Sequence, residues 1–570
     1  MACREQILSN EYAEILVDYT LTKGIDEGDA VCYDVIDEQF SVLYAQRNRI
    51  RPISVSSYTY HSIPKLYGLM QQEMRPGAGF DPVSLIRSGI LQVQRPPLSL
   101  TGKGVILGFV DTGIRYDHPV FRRADGSSRI LSIWDQTIQT GQPPAGFSYG
   151  TEYTREEIDT ALKQEDPFSV VPSRDTNGHG TALASVAAGS DLGYAMDFLG
   201  AAPDADIVMV KCKEAKPYLR EYYQIPEKVP AYADGDIGRA VKYLDEMARE
   251  GERPVVICIG MGTNWGSHEG TSVLGRYLGR VALKRNRVMI LAGGNEGNAG
   301  HHYQSVFEMP EQTAEEEAEI RVGDGEKGFL MELWLNTPNT MAVSIRSPGG
   351  ETVPMADFRT GETRNYSFIY EKTRIAVDYI LVEQGSGDAL AVFRFHDPTP
   401  GVWTIRMTIR GDSGKGSVFL WLPITEFLHS DTYFLRAVPG VTFTEPSLAR
   451  HVITTSFYRA ENNSLAADSG RGYARDGRVV PAFSAPGIQV STILGTYNGS
   501  SMAAALTAGA AAQFMQWAVV EKKDILANSV EAEAYLIRGA DRTQGETYPN
   551  PSWGYGRLDI GRTFDLLAGL

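Results

Sequence analysis

The chain has 570 residues, too many for one ordinary core, so two or three domains are expected. Its 54 basic and 70 acidic residues give a net charge of −16, which argues against a general nucleic-acid binder because that needs a basic face. A hydrophobic content of 43% with 22% charged residues is that of a soluble globular protein, and no uninterrupted apolar run is long enough to span a bilayer.

The start, Met1-Ala2-Cys3-Arg4-Glu5-Gln6, is polar and lacks a signal-peptide core. Cys3, Cys32, Cys212 and Cys258 are scattered, with neither zinc spacing nor a disulfide framework. Cys212 and Cys258 sit in apolar runs and read as buried free thiols. A reducing interior, such as a cytoplasm or a developing spore, is the expected location.

Residues 1–61 read as a small α/β module with strands over 12–19, 31–36 and 40–45. Residues 85–100 lead toward the core. The run Val105-Ile106-Leu107-Gly108-Phe109-Val110 ends in Asp111-Thr112-Gly113, which predicts a buried parallel strand with a carboxylate at its carboxyl end. A surface insertion follows, with a helix expected over 152–162. Asp175-Thr176-Asn177-Gly178-His179-Gly180-Thr181 predicts a tight loop feeding a helix, with an imidazole at the helix start. A strand over 207–211, an amphipathic helix over 235–250 and a buried strand over 254–262 come next. Val288-Met289-Ile290-Leu291-Ala292 reads as a strand and Gly293-Gly294-Asn295-Glu296-Gly297 as its turn.

From 306 to 434 the pattern becomes strand–turn–strand, over 328–335, 341–346, 373–381, 389–395, 403–409 and 418–422. Ser347-Pro348-Gly349-Gly350 and Pro398-Thr399-Pro400-Gly401 are turn signals, and the whole predicts a β-sandwich or jelly roll. Finally, Asn498-Gly499-Ser500 can cap the small, apolar helix that carries Ser501, Ala503, Leu506, Ala511 and Phe514. A serine in its first turn lies among unpaired N–H groups at the positive end of the helix dipole.

Each of these features has an ordinary structural reading by itself. Together, in the order Asp, His, Ser, they match one known arrangement of the hydrolytic triad and differ from two others. The Asp-Thr-Gly, Gly-His-Gly-Thr and Gly-Ser-Ser-Met-Ala segments resemble those of subtilisin-like serine proteases. The resemblance implies an α/β parallel-sheet protease domain with Asp111, His179 and Ser501 as the triad, and Asn295 as oxyanion donor. It makes Gly260, Met261 and Gly262 a cleft edge that pairs with substrate backbone. It also makes residues 1–61 a propeptide, with self-cleavage expected at Tyr60-His61-Ser62. Ala505 stands where most subtilases carry proline, and Leu506 where many carry histidine.

Ser62-Ile63-Pro64-Lys65-Leu66-Tyr67-Gly68-Leu69-Met70 and Asn295-Glu296-Gly297-Asn298 with His301-His302-Tyr303 resemble the clostridial spore-germination (Csp) subtilases. That likeness implies a retained propeptide, a jelly-roll insertion and limited proteolysis of a cortex-lytic hydrolase precursor. The implied organisation is a propeptide-like domain at 1–61, protease at 62–305 and 435–570, and an inserted domain at 306–434. The expected partners are a protein substrate and the chain's own propeptide, with no nucleic acid and no membrane span. No cofactor is expected; calcium is common in the family, but no loop here specifies a metal site. The alternatives are a non-catalytic germination-signalling or scaffold pseudoprotease, and a housekeeping protease with broad substrates.

Overall fold

A computed structural model describes residues 3–19, 30–70, 74–75, 79–191, 193, 198–309, 313–357, 359–411 and 413–568. Strands buried on both faces by helices read as unbroken apolar runs. Four such runs, with Ile453–Arg459, whose Thr454, Thr455 and Ser456 interrupt its apolar residues, form the middle of a nine-stranded sheet, in the spatial order Ile453–Arg459, Arg287–Ala292, Val255–Ile259, Ile106–Asp111, Asp206–Lys211. These five are parallel, as are the flanking Phe483–Ile488 and Ile130–Asp135. Short antiparallel strands, Thr151–Thr154 and Ser464–Leu465, finish the edges.

Alternate side chains of each strand serve opposite cores. Leu107 and Phe109 pack with the helices His179–Ala188 and Ser500–Met515. Ile106 and Val110 pack with Asp234–Glu250 and Val273–Ala282. The helical stretch Ser500–Val520 is apolar and long enough to cross a membrane by length and composition, yet 83% of its most apolar window is buried inside the protein. Its place between strands and helices explains its Ala-rich, all-round apolar sequence.

The helix expected over 152–162 begins later. Thr151–Thr154 pairs with Ile130–Asp135, and the helix Arg155–Ala161 starts from a capping box between Thr154 and Glu157.

The N-terminal sheet has the order Tyr12–Asp18, Phe40–Gln46, Ala30–Val35, all antiparallel. It sits on the helices Asp234–Glu250 and Val273–Ala282, where Phe40 meets Tyr277 edge-on at 5.9 Å. Arg280 pairs with Asp37 at 2.7 Å, and the buried Arg239 with Asp34. Although no disulfide framework is expected from the four scattered cysteines, Cys3 and Cys32 form a disulfide within this module; their separation of 29 positions carries no spacing signal. Cys212 and Cys258 are free and buried.

Residues 302–434 build two facing antiparallel sheets of six and five strands around Phe329, Phe393, Phe395 and Trp403. Three of these strands, His302–Glu308, Thr313–Val322 and Glu362–Ser367, escape a search for apolar runs. Thr313–Val322 reads Thr-Ala-Glu-Glu-Glu-Ala-Glu-Ile-Arg-Val, and only its second half buries alternate residues.

A single helical turn, Tyr60–Ser62, ties the N-terminal segment to this sheet pair. The Tyr60 hydroxyl donates to Glu332 Oε1 at 2.7 Å, and His61 Nε2 pairs with Glu383. Burial raises the Glu383 pKa. The His61 charge and donors from Gly385 and Ser386 outweigh that and hold it down to about 2. A folded pKa below the ordinary 4.5 means stability that is present above pH 4.5 and lost as pH falls toward 2. Denaturant titrations between pH 5 and about pH 2 are expected to show a steeper loss of stability in the wild type than in Glu383→Gln. Equal slopes would remove this pair as a source of acid sensitivity.

Candidate active site

Asp111 is the last residue of the strand Ile106–Asp111, at the carboxyl edge of the sheet, and is fully buried. The helix carrying His179 is aimed at it by Asp175. Asp175 Oδ1 accepts from Gly178 N at 2.8 Å and from the Thr112 hydroxyl at 2.9 Å. Its Oδ2 accepts from Thr181 N at 2.9 Å and from the Thr181 hydroxyl at 2.6 Å. One carboxylate thus fixes both the strand end and the helix start. Gly178 takes a φ of 93°, a left-handed conformation suited to glycine.

His179 Nδ1 lies 2.8 Å from Asp111 Oδ1 and 3.0 Å from Oδ2. His179 Nε2 lies 2.9 Å from Ser501 Oγ. Ser501 is in the first turn of Ser500–Met515, and Gly499, with φ 129°, is the residue before that helix. No side chain caps it: Asn498 accepts from Gln489 N instead, at 2.8 Å. Ser500 Oγ accepts from Gly294 N at 3.0 Å, and Ser500 N donates to Asn295 Oδ1 at 2.9 Å. The turn of Asn295 is therefore bound to the turn of Ser501 from both sides. Asn295 Nδ2 is buried and has no hydrogen-bond partner among the described residues. Such a donor is costly to bury unless something intermittently uses it.

The cleft is filled by the chain itself. Leu66–Leu69 is a strand running antiparallel between Tyr232–Ala233 and Met261–Gly262. Met70 N donates to Gly260 O at 2.8 Å. The Met70 carbonyl oxygen then lies 2.7 Å from Ser501 Oγ and accepts from Ser501 N at 3.4 Å. A peptide carbonyl thus sits against a hydroxyl that is itself beside an imidazole.

The Subtilase family pattern matches residues 102–556. The chain belongs to the subtilase family. The solved CspB protease of Clostridium perfringens is similar to this chain at 30% identity, covering 85% of this chain and 99% of that one, with a TM-score of 0.75. MycP1 of Mycobacterium smegmatis aligns at 12% identity over 87% of this chain and 89% of that one, with a TM-score of 0.37. The chain is a serine endopeptidase.

The subtilase cleft gives its glycines different tasks. A Cβ on Gly260 would lie 2.7 Å from His179 Cε1 and 3.0 Å from Asp111 Oδ2, so this glycine makes room for the imidazole and carboxylate. A Cβ on Gly262 would lie 2.4 Å from Thr444 Oγ1 and 3.2 Å from Met70 Sδ, so this one makes room for the Thr444 and Met70 side chains.

Tyr60, His61 and Ser62, where the self-cleavage junction is expected, do not lie at Ser501. They are buried against the 302–434 sheets, and Met70 stands at Ser501 in their place. The expectation fixes on the boundary of the N-terminal module, whereas the chain needs eight more residues after Ser62 to reach Ser501. Sequence reasoning also missed Asp175, Tyr232 and Ala233. The Asp175 spacing to Thr181 is a local turn signal that was available; the pairing of 232–233 with 66–67 is not local. Among the described residues, no group of three or more His, Cys, Asp or Glu side chains is placed to hold a metal ion.

Replacing Asn295 by Ala is expected to slow acylation of Ser501 by about 10²–10³, the usual loss for one oxyanion donor. The measurement is the rate of self-cleavage followed by intact mass, with folding checked by thermal melt. An unchanged rate would take Asn295 out of the site.

Proposed function

We propose that this subtilase cuts its own chain after Met70, keeps the N-terminal piece in its cleft, and performs limited proteolysis on a protein precursor. Ser501 Oγ attacks the carbonyl carbon while His179 Nε2 takes its proton. Asp111 holds the imidazole with Nδ1–H toward the carboxylate and stabilises the imidazolium. Asn295 Nδ2 and Ser501 N–H receive the oxyanion. His179 then protonates the leaving amine, and water releases the acyl-enzyme.

The observation that carries this reading is the Met70 carbonyl oxygen, 2.7 Å from Ser501 Oγ, immediately after a strand paired on both sides. A peptide carbonyl seated beside the proposed nucleophile by main-chain pairing is the kind of positioning an acyl transfer needs. The similarity to the Clostridium perfringens CspB protease, together with the Csp-like phrases of the sequence, supports a spore cortex-lytic enzyme precursor as the substrate.

The filled cleft also favours a second reading, a scaffold that binds its own segment and cuts nothing. Self-cleavage separates the two. Intact-mass measurement is expected to find residues 1–70 and 71–570 as separate pieces in the wild type, and one full-length chain in Ser501→Ala. A wild-type chain that stays whole under native conditions would favour the scaffold, and cleavage in Ser501→Ala would assign the cut to another enzyme.

A further inference from the structure

We propose that the inserted domain dictates what this cleft accepts: it forces glycine at the third residue before the cleaved bond. This rests on the reading that residues 66–70 lie in the cleft as a substrate does. Counting Met70 as the residue before the cut, the third is Gly68, paired with Gly262.

Gly68 lies in the strand Leu66–Leu69 and has no left-handed φ. Its backbone suits any residue, so glycine is not there for conformation. What it lacks is a side chain. A Cβ at this position would lie 2.6 Å from Ile424 Cδ1, and 3.1 and 3.2 Å from Phe427 Cε1 and Cζ. Both side chains come from the turn around Thr425–Phe427, which follows the last long strand of the two-sheet insert, Lys415–Trp421. This turn forms a roof over the substrate strand.

The roof has little room to yield. Phe427 stacks on Trp265 at 5.4 Å, and Trp265 on Tyr223 at 4.1 Å. The indole N–H of Trp265 donates to Leu330 O at 3.0 Å, which ties the stack to the insert. Thr425 N and Oγ1 both donate to Glu296 Oε1 at 3.1 Å, and Glu296 Oε2 meets His301 Nδ1 at 2.5 Å. Ile424 is fully buried. A methyl group pushed into such packing displaces several fixed side chains, and overpacking is costly.

The neighbouring positions complete the pattern. Tyr67 is buried with its hydroxyl donating to Asp234 Oδ1 at 2.6 Å, so a hydroxylated aromatic residue suits the fourth position. Leu69 and Met70 are buried, which suits apolar residues at the second and first. The substrate class is an extended polypeptide segment of the form Tyr-Gly-apolar-apolar, cut after the last of these.

The test uses full-length chains. Gly68→Ala is expected to slow the cut after Met70 by about 10–100-fold, followed by intact mass. In the Ser501→Ala background, the same change is expected to speed hydrogen exchange at the Met70 amide by a similar factor. Adding Ile424→Val removes the one methyl in closest approach and is expected to recover about ten-fold in both readouts. Two results overturn the proposal: Gly68→Ala chains that cut and exchange like their parents, or a loss that Ile424→Val does not relieve. A wild-type chain that is not cut after Met70 sinks the self-cleavage reading instead. The exchange arm, which needs no catalysis, still decides the roof.

Discussion

A carboxylate buried without water must have its oxygens filled, or its charge is too costly to keep. Asp111 is fully buried, and its partners are His179 Nδ1 and the backbone N–H of Thr112. Meeting that demand fixes much else. The strand must end at the carboxyl edge of the sheet, and the His179 helix must begin within hydrogen-bond reach of it. Gly180 allows this approach, because a Cβ there would lie 2.3 Å from Gly113 O and 3.1 Å from Asp111 Cβ. Gly260 clears the other side of the same imidazole. Three remote segments are thus locked by one desolvated ion–imidazole pair, and Ser501 approaches the nitrogen that this pair leaves free.

The N-terminal segment uses a different kind of force. Leu66–Leu69 adds a strand between two cleft edges, and main-chain pairing of that kind is indifferent to side chains. Side chains then fix the register. Tyr67 reaches Asp234, Lys65 N donates to the other oxygen of the same carboxylate at 2.7 Å, and Met70 enters the space beside Thr444. Burial pushes the Asp234 pKa up to about 6 against the opposing pull of these donors. A shift of one residue would carry Tyr67 and Leu69 to the other face of the strand and lose these contacts together.

What the sequence makes legible follows from which signals are local. The apolar runs ending at Asp111 and Ala292 carry their own evidence of burial, and the strands over 328–335 and 389–395 are found almost to the residue. The three motif segments are also local, and the structure brings Asp111, His179 and Ser501 within hydrogen-bonding distance. Thr313–Val322 is opaque because its glutamates face outward over half its length. The Cys3–Cys32 disulfide and the seating of Met70 are opaque for another reason. Each depends on where two distant stretches meet, and no periodicity in either stretch records its partner. Residues 60–62 attract attention as the end of a module, but the relevant constraint is the distance from that module to Ser501.

The loop at Asn295 links these parts. Asn295 accepts from Ser500 N, and its amide donor has no partner among the described residues. Its neighbour Glu296 turns the other way and holds Thr425 of the insert through one oxygen and His301 through the other. Burial alone would raise the Glu296 pKa, but the His301 pair and the Thr425 donors hold it below the usual carboxylate range, so it stays charged. Successive residues of one turn therefore support the proposed oxyanion donor and anchor the roof over Gly68. An insert placed directly after this turn, with strands beginning at His302, is built into the cleft wall. It follows that changes to the insert near 424–427 act on the same short loop that positions Asn295, and a domain without catalytic side chains can still bear on which chains are cut.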